Sequence, residues 1–241
     1  MSMSKRVDWF FGRGLSIGCG LAWAVPESWR SLARDEQVGR IVDAIRSAMD
    51  ARDVDTSDLR LFLRFLAERT TPPWQHQFYT TNWDYLLQRE IEGLELKVQP
   101  PWWAETHVYH LNGTVEVLAN NGNRSNIVIE TDQGTARISS PEANVALNSM
   151  IWNRHFVVVG MSFECEVDKF LLQVLSEVED DLPIGESSWI VVNPSQVALA
   201  ASAGHIHAAL PSAKVIRVQM SFGAWLQDGL KELQAVGVVG A

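Results

Sequence analysis

Apolar residues fall along this chain in two rhythms: short runs apolar at nearly every position, and longer stretches in which they recur every three or four places. Val7 to Phe11, Phe156 to Val159, Trp189 to Val192 and Val215 to Val218 are runs of the first kind, and His76 to Thr81 and Thr106 to Leu111 are weaker versions. A strand that is apolar on both sides is buried on both sides, so the runs predict a sheet covered on each face. The second rhythm predicts helices. Val38, Ile41, Val42, Ile45 and Met49 form a stripe within Arg34 to Ala51, and Leu59, Phe62, Leu63 and Leu66 form one within Thr56 to Arg69, which Thr71-Pro72-Pro73 ends. Further helices are predicted over Trp83 to Ile91 (starting near Asn82), Pro141 to Trp152, Val167 to Glu179, Gln196 to Leu210 and Phe222 to Leu233, with a turn at Asn120 to Asn126 and a short strand at Ile127 to Glu130.

Strands alternating with helices imply an α/β fold: a doubly wound, mainly parallel sheet with helices on both faces. The length suits a single domain over residues 1–241. Two successive N-terminal helices break the alternation and predict a helical insertion at about residues 26–72.

Charge and cysteine content narrow the setting. The net charge of −9 repels phosphate backbones, and no basic patch offsets it, so no nucleic-acid partner is expected. Two cysteines, Cys19 and Cys165, can form neither a disulfide framework nor a four-thiolate zinc site, which favours a reducing compartment. The N-terminus lacks a signal-peptide core, and no apolar run approaches the length of a membrane span. The expectation is a soluble cytoplasmic protein with no metal and no membrane contact.

In doubly wound sheets, ligands bind where strands end. The residues just after the runs are small or polar: Gly12, Gly14 and Ser16; then Thr80, Thr81, Asn82 and Asp84; then His110, Asn112 and Gly113; then Gly160 and Ser162; finally Asn193 with Pro194. Five such ends suggest a crevice for a polar ligand. Glycines after the first strand let a backbone approach a pyrophosphate. A tight turn without ligand explains them equally well, because GRGLSIGCG is not the GxGxxG fingerprint.

Taken in order, these segments resemble the bacterial sirtuin-like (SIR2-like) NAD-binding proteins. FGRGLSIGCGLAWAVPESW resembles their GAGxS…GLPxW opening, YTTNWDYLLQRE their TTNxDxLLE segment, and YHLNGT their His-Gly motif; VVVGMSFECEVDKFL and IVVNP resemble their later Gly-x-Ser and Asn-Pro strand ends. The match runs from Phe11 to Pro194. It implies a Rossmann-like sheet that binds NAD, with Gly12, Gly14 and Ser16 near the phosphates, Ser162 and Asn193 near the adenosine half, and Asp84 on the nicotinamide side. Thr81, Asn112, Gly113 and Gly160 belong to the same matched segments. Asn82 and a histidine would serve cleavage of the nicotinamide-ribose bond, giving nicotinamide and ADP-ribose or a cyclic product. Many stand-alone bacterial members suggest a role in antiphage defence, gated by a homo-oligomer or a regulatory protein partner. Zinc-dependent deacetylation is not expected, since the zinc ribbon needs four cysteines. The alternative is a catalytically inactive member that binds NAD or ADP-ribose as a sensor or interaction subunit.

Two positions depart from the family pattern. Asn112 stands where the family has its histidine, and His110 lies two residues earlier, on the same side of an extended strand but about 7 Å back. Either a water bridges that gap, or catalysis is lost, because an amide is no base near pH 7. Arg13 replaces a small residue, and either clamps a phosphate or crowds the turn. The bland alternatives are an N-cap role for Asn82, a helix-dipole role for Asp84, a structural His110 and a strand-ending turn at Asn193. The ten tryptophans could line a nucleotide pocket or a partner surface, yet core packing explains most of them more cheaply.

Overall fold

The computed structural model describes residues 5–21, 24–50, 53–93, 103–115, 127, 129, 154–164, 166–181 and 187–240. Six strands form one sheet: β1 (Lys5–Phe11), β2 (Trp74–Thr80), β3 (Trp103–His110), β4 (His155–Val159), β5 (Ser188–Val192) and β6 (Lys214–Val218). Their order is β3-β2-β1-β4-β5-β6, and every pairing is parallel. The helices are α1 (Arg13–Gly18), α2 (Arg34–Met49), α3 (Ser57–Arg69), α4 (Leu86–Gly93), α5 (Glu166–Asp181), α6 (Gln196–Ala209), α7 (Phe222–Gln227) and α8 (Lys231–Ala235).

Alternation along the strands splits the core in two. Val7, Trp9 and Phe11 of β1 pack with Phe78, Val157 and Ile190 beneath α3, α4 and the two C-terminal helices. Phe10 packs with Tyr79, Phe156 and Trp189 beneath α5 and α6. Phe62 of α3 meets Trp9 edge-on, ring centroids 4.7 Å apart. A third cluster joins the α2 stripe to Cys19, Leu21, Leu86, Val115, Ile127 and Ile129, so α2 backs the strand-end loops while α3 covers the sheet. The doubly wound parallel fold expected from the sequence is therefore observed.

Two helix boundaries differ from expectation. α4 begins at Leu86 rather than near Asn82, because the backbone before it is engaged elsewhere: the Trp83 carbonyl accepts from Val115 N (2.7 Å) and Thr114 Oγ1 (3.2 Å). The stretch expected as one helix over Phe222 to Leu233 is broken between α7 and α8 at Gly229 and Leu230, both with positive φ (75° and 53°). The turn at 120–126, the helix at 141–152 and most of the strand at 127–130 lie outside the described residues.

One buried polar chain crosses the larger core cluster. Trp9 Nε1 donates to His76 Nδ1 (2.9 Å), which leaves the imidazole proton on Nε2, 2.8 Å from Thr70 Oγ1; that hydroxyl donates to the Leu66 carbonyl (2.6 Å). Burial holds His76 neutral, with its pKa pushed down to about 3. Since the unfolded chain protonates this residue near pH 6.5 and the folded one does not, stability falls as pH drops below about 6.5 and the loss levels off near pH 3. Urea titrations should show a loss of about 2 kcal/mol between pH 6.5 and 5 from this group. His155, half-buried and also shifted down by burial, adds in the same sense. His76→Gln should flatten the slope; an unchanged slope would contradict this account.

Candidate functional site

The chain leaves β1 toward β2 on one side and returns to β4 on the other, so the crevice that doubly wound sheets offer lies between the ends of β1 and β4. There the two strand-end turns touch through their backbones. Gly12 N donates to the Val159 carbonyl (2.9 Å) and Gly14 N to the Gly160 carbonyl (2.8 Å). A Cβ on Gly12 would stand 2.7 Å from Met161 Cβ, and one on Gly14 2.6 Å from Gly160 Cα. The glycines thus have a reason the sequence did not disclose: only bare backbone lets the turns meet. Arg13 is exposed on this turn, and Ser16, one turn on, is buried.

Ser16 joins the first turn to the second strand end. Its Oγ donates to Asp84 Oδ2 (2.6 Å) and accepts from Asn82 Nδ2 (2.8 Å), which also donates to the Gly12 carbonyl (3.0 Å). Asn82 is therefore not a helix cap, and the order of donors fixes its amide. With both Nδ2 hydrogens spent on the protein, Oδ1 is the acceptor that Asn82 has left for a ligand. Burial raises the Asp84 carboxyl above its usual range, opposed by its bonds from Ser16 and from Leu86 N, 3.2 Å away.

The third strand end completes this wall. β3 stops at His110, which pairs with Thr80, and Leu111 to Asn112 turn away, with Gly113 at φ 76°. The expected shared face of His110 and Asn112 therefore does not form, because the strand ends between them. Asn112 Nδ2 donates to the Thr81 carbonyl (2.9 Å), beside Asn82. His110 is buried and, by strand alternation, shares the face of Val108, toward α4. From α2, Arg46 Nη2 holds the Val115 carbonyl (2.8 Å), steadying the loop from behind.

On the other half, Gly160 N donates to the Val192 carbonyl (3.0 Å) at φ 64°. Ser162 follows it, half-buried. Asn193 Oδ1 accepts from Ser195 N (3.0 Å), so its carbonyl oxygen shapes the local turn. Described indole rings stay out of the crevice's polar wall: Trp9, Trp74 and Trp225 fill one core face, Trp189 the other, and Trp29 and Trp83 pack against the α2 cluster.

The sequence reading missed one residue here. Asp168, in the first turn of α5, accepts from the Thr81 hydroxyl, and burial pushes its carboxyl up to about 6. Extending the strand-end inspection from the turn after β4 into the following helix would have found it.

The profile of the SIR2-like domain matches residues 76–205, more than half of the chain and all of the second, third and fourth strand ends. The chain belongs to the SIR2-like family. Two solved structures agree in fold. A Sir2 described under "Structural Basis for the Mechanism and Regulation of Sir2 Enzymes" is 14% identical, with a TM-score of 0.52 and coverage of 97% of this chain and 94% of that one. A Sir2 with a p53 peptide and NAD+ is also 14% identical, with a TM-score of 0.54 and coverage of 97% and 95%. No curated protein sequence matches significantly. Within this SIR2-like chain, no helix of the described residues is long and apolar enough to cross a membrane.

Proposed function

We propose that this SIR2-like chain, acting as one domain with its N-terminal helical insertion, binds NAD in the crevice at the β1/β4 reversal and hydrolyses its nicotinamide-ribose bond. The observation that carries the reading is the convergence of the Gly12–Ser16 turn, Asn82 and the Asn112–Thr81 contact on that crevice. Kinship with a Sir2 structure that contains NAD+ supports the ligand class.

In this reading Gly12, Arg13 and Gly14 face the phosphates, Gly160, Ser162 and Asn193 the adenosine half, and Thr81, Asp84, Asn112 and Gly113 shape the nicotinamide side. Breaking the bond releases a neutral base and leaves positive character on the ribose. The protein must therefore orient the ring, stabilise that charge and place water. Asn82 Oδ1, the free acceptor of a fixed amide, suits orientation and the developing charge. His110, on the α4 side of β3, acts only through an intervening water, relaying the proton onward rather than taking it first. The setting proposed is cytoplasmic, as an effector in antiphage defence whose activity a homo-oligomer or partner protein controls.

Nicotinamide release from NAD tests this directly. Asn82→Ala should lower the rate about 100-fold, the penalty of a misplaced reacting group, and His110→Ala should lower it less. Turnover insensitive to both changes would remove the site. A second reading, a sensor that binds NAD or ADP-ribose without turnover, is favoured by Asn112, whose amide is committed to the Thr81 carbonyl and is no base. Calorimetric binding without nicotinamide release would select it, whereas absent heat at millimolar ligand would refute both.

A further inference from the structure

We infer that Asp168 is the acid–base group of this crevice, the acceptor for the proton of the water that attacks the ribose. The inference rests on the NAD reading above and deepens it.

The geometry comes from three elements. Thr81 follows β2, and its N donates to the Phe11 carbonyl at the end of β1 (3.2 Å). Its own carbonyl receives Asn112 from the turn after β3. Its hydroxyl donates to Asp168 from α5, the helix that follows β4. Thr81 thus ties a carboxylate into the wall that holds Asn82 and Asn112, the latter standing where the family pattern has a histidine. The Asp168 carboxyl is largely buried, while the residue keeps a partly exposed edge, the combination a proton acceptor needs to meet a water.

Other titratable groups at these strand ends are less suited. Asp84 is committed to Ser16 and to Leu86 N, and His110 faces the α4 side of β3. Among the described residues, burial and the Thr81 hydroxyl are the influences on Asp168, with no charged neighbour among them. Burial raises its carboxyl to about 6, so it is ionised at neutral pH yet basic enough to take a proton.

The step balances. The bond from ribose C1′ to the nicotinamide nitrogen breaks, and its electron pair goes to that nitrogen, cancelling the pyridinium charge. Water oxygen bonds to C1′, one water proton passes to the Asp168 carboxylate, and that proton is then lost to solvent. The sum is NAD+ and water giving nicotinamide, ADP-ribose and a proton.

The test is the pH dependence of kcat/KM for nicotinamide release, with NAD binding measured alongside by calorimetry. The wild type should lose activity as pH falls through about 6, when the carboxylate is protonated. Asp168→Asn, isosteric and checked for fold by circular dichroism, should lower kcat/KM about 100-fold or more and abolish that acid limb. Thr81→Val, which removes the hydroxyl bond, should move the limb to higher pH, and Thr81→Ser should restore it. Should the protein bind NAD without turnover, Asp168→Asn is expected to remove a dependence of NAD affinity on pH near 6. A wild type that turns over or binds NAD while Asp168→Asn behaves identically would overturn this inference alone. A wild type that does neither would overturn it together with the NAD reading.

Discussion

Gly160→Ala is expected to cost about 3–5 kcal/mol of stability and to abolish NAD binding. Two penalties combine. Gly160 has φ 64°, a conformation that L side chains rarely adopt, and its added Cβ would lie 2.7 Å from both Gly14 Cα and Leu15 N. Those atoms are backbone and cannot swing aside as a side-chain tip would. Relief requires the two turns to separate, breaking the bond from Gly14 N to the Gly160 carbonyl and displacing the first helix with Ser16. Gly204→Ala is the control: this glycine lies in α6 with open space around its Cβ, so alanine there should be neutral or stabilising by about 0.5–1 kcal/mol. Urea titration of both variants with calorimetric NAD binding decides the matter. A Gly160→Ala protein as stable as the wild type would show that the turns can part freely.

Arg6→Ala should cost a comparable 3–5 kcal/mol, at the opposite end of the central strand. Arg6 and Asp8 lie two apart on β1 and so share a face; Nη2 donates to Oδ2 at 3.0 Å, and Nε lies 2.8 Å from Oδ1 as an ion-pair contact. The Asp8 side chain is fully buried, whereas that of Arg6 is 22% exposed. Removing the cation therefore leaves a carboxylate in the interior of the central strand. Burial lowers the guanidinium pKa, but Asp8, with Tyr79 and Tyr109, more than reverses this, so Arg6 stays a firm cation. The double variant Arg6→Met, Asp8→Leu should recover most of the loss, because neither charge is then stranded. Equal destabilisation of single and double variants would mean that packing, not charge, is at stake.

The inner strands were legible because they are buried on both faces, which leaves runs such as Phe156 to Val159 without a polar interruption, whereas β6 at the edge is exposed at Lys214 and Arg217. α2 and α3 were legible from their stripes for the same reason. The loop before α4 was not. Asn82, Trp83 and Asp84 read as a helix start, yet their polar groups are drawn to Ser16 and to the turn after β3, partners 66 to 68 and 31 positions distant. Local propensity cannot register such ties. The break at Gly229 and Leu230 was missed because Leu226, Leu230 and Leu233 carry the apolar spacing straight across it. At the site, inspecting strand ends named Asn82, Asn112 and Gly160 but stopped short of Asp168, whose place depends on how α5 enters behind the turn.

Contact between the turns after β1 and β4 divides labour along the crevice. Its floor is main chain at the point where the two half-sheets join, and the Gly12, Gly14 and Gly160 amides there are already spent on protein carbonyls. Substitution has little room to tune that surface. On the proposed reading, discrimination among nucleotides and control of chemistry fall to the rim, where Thr81 and Asn82, Asn112, and Asp168 stand on three separate stretches of chain. On that reading the rim can diverge while the seam beneath it stays fixed.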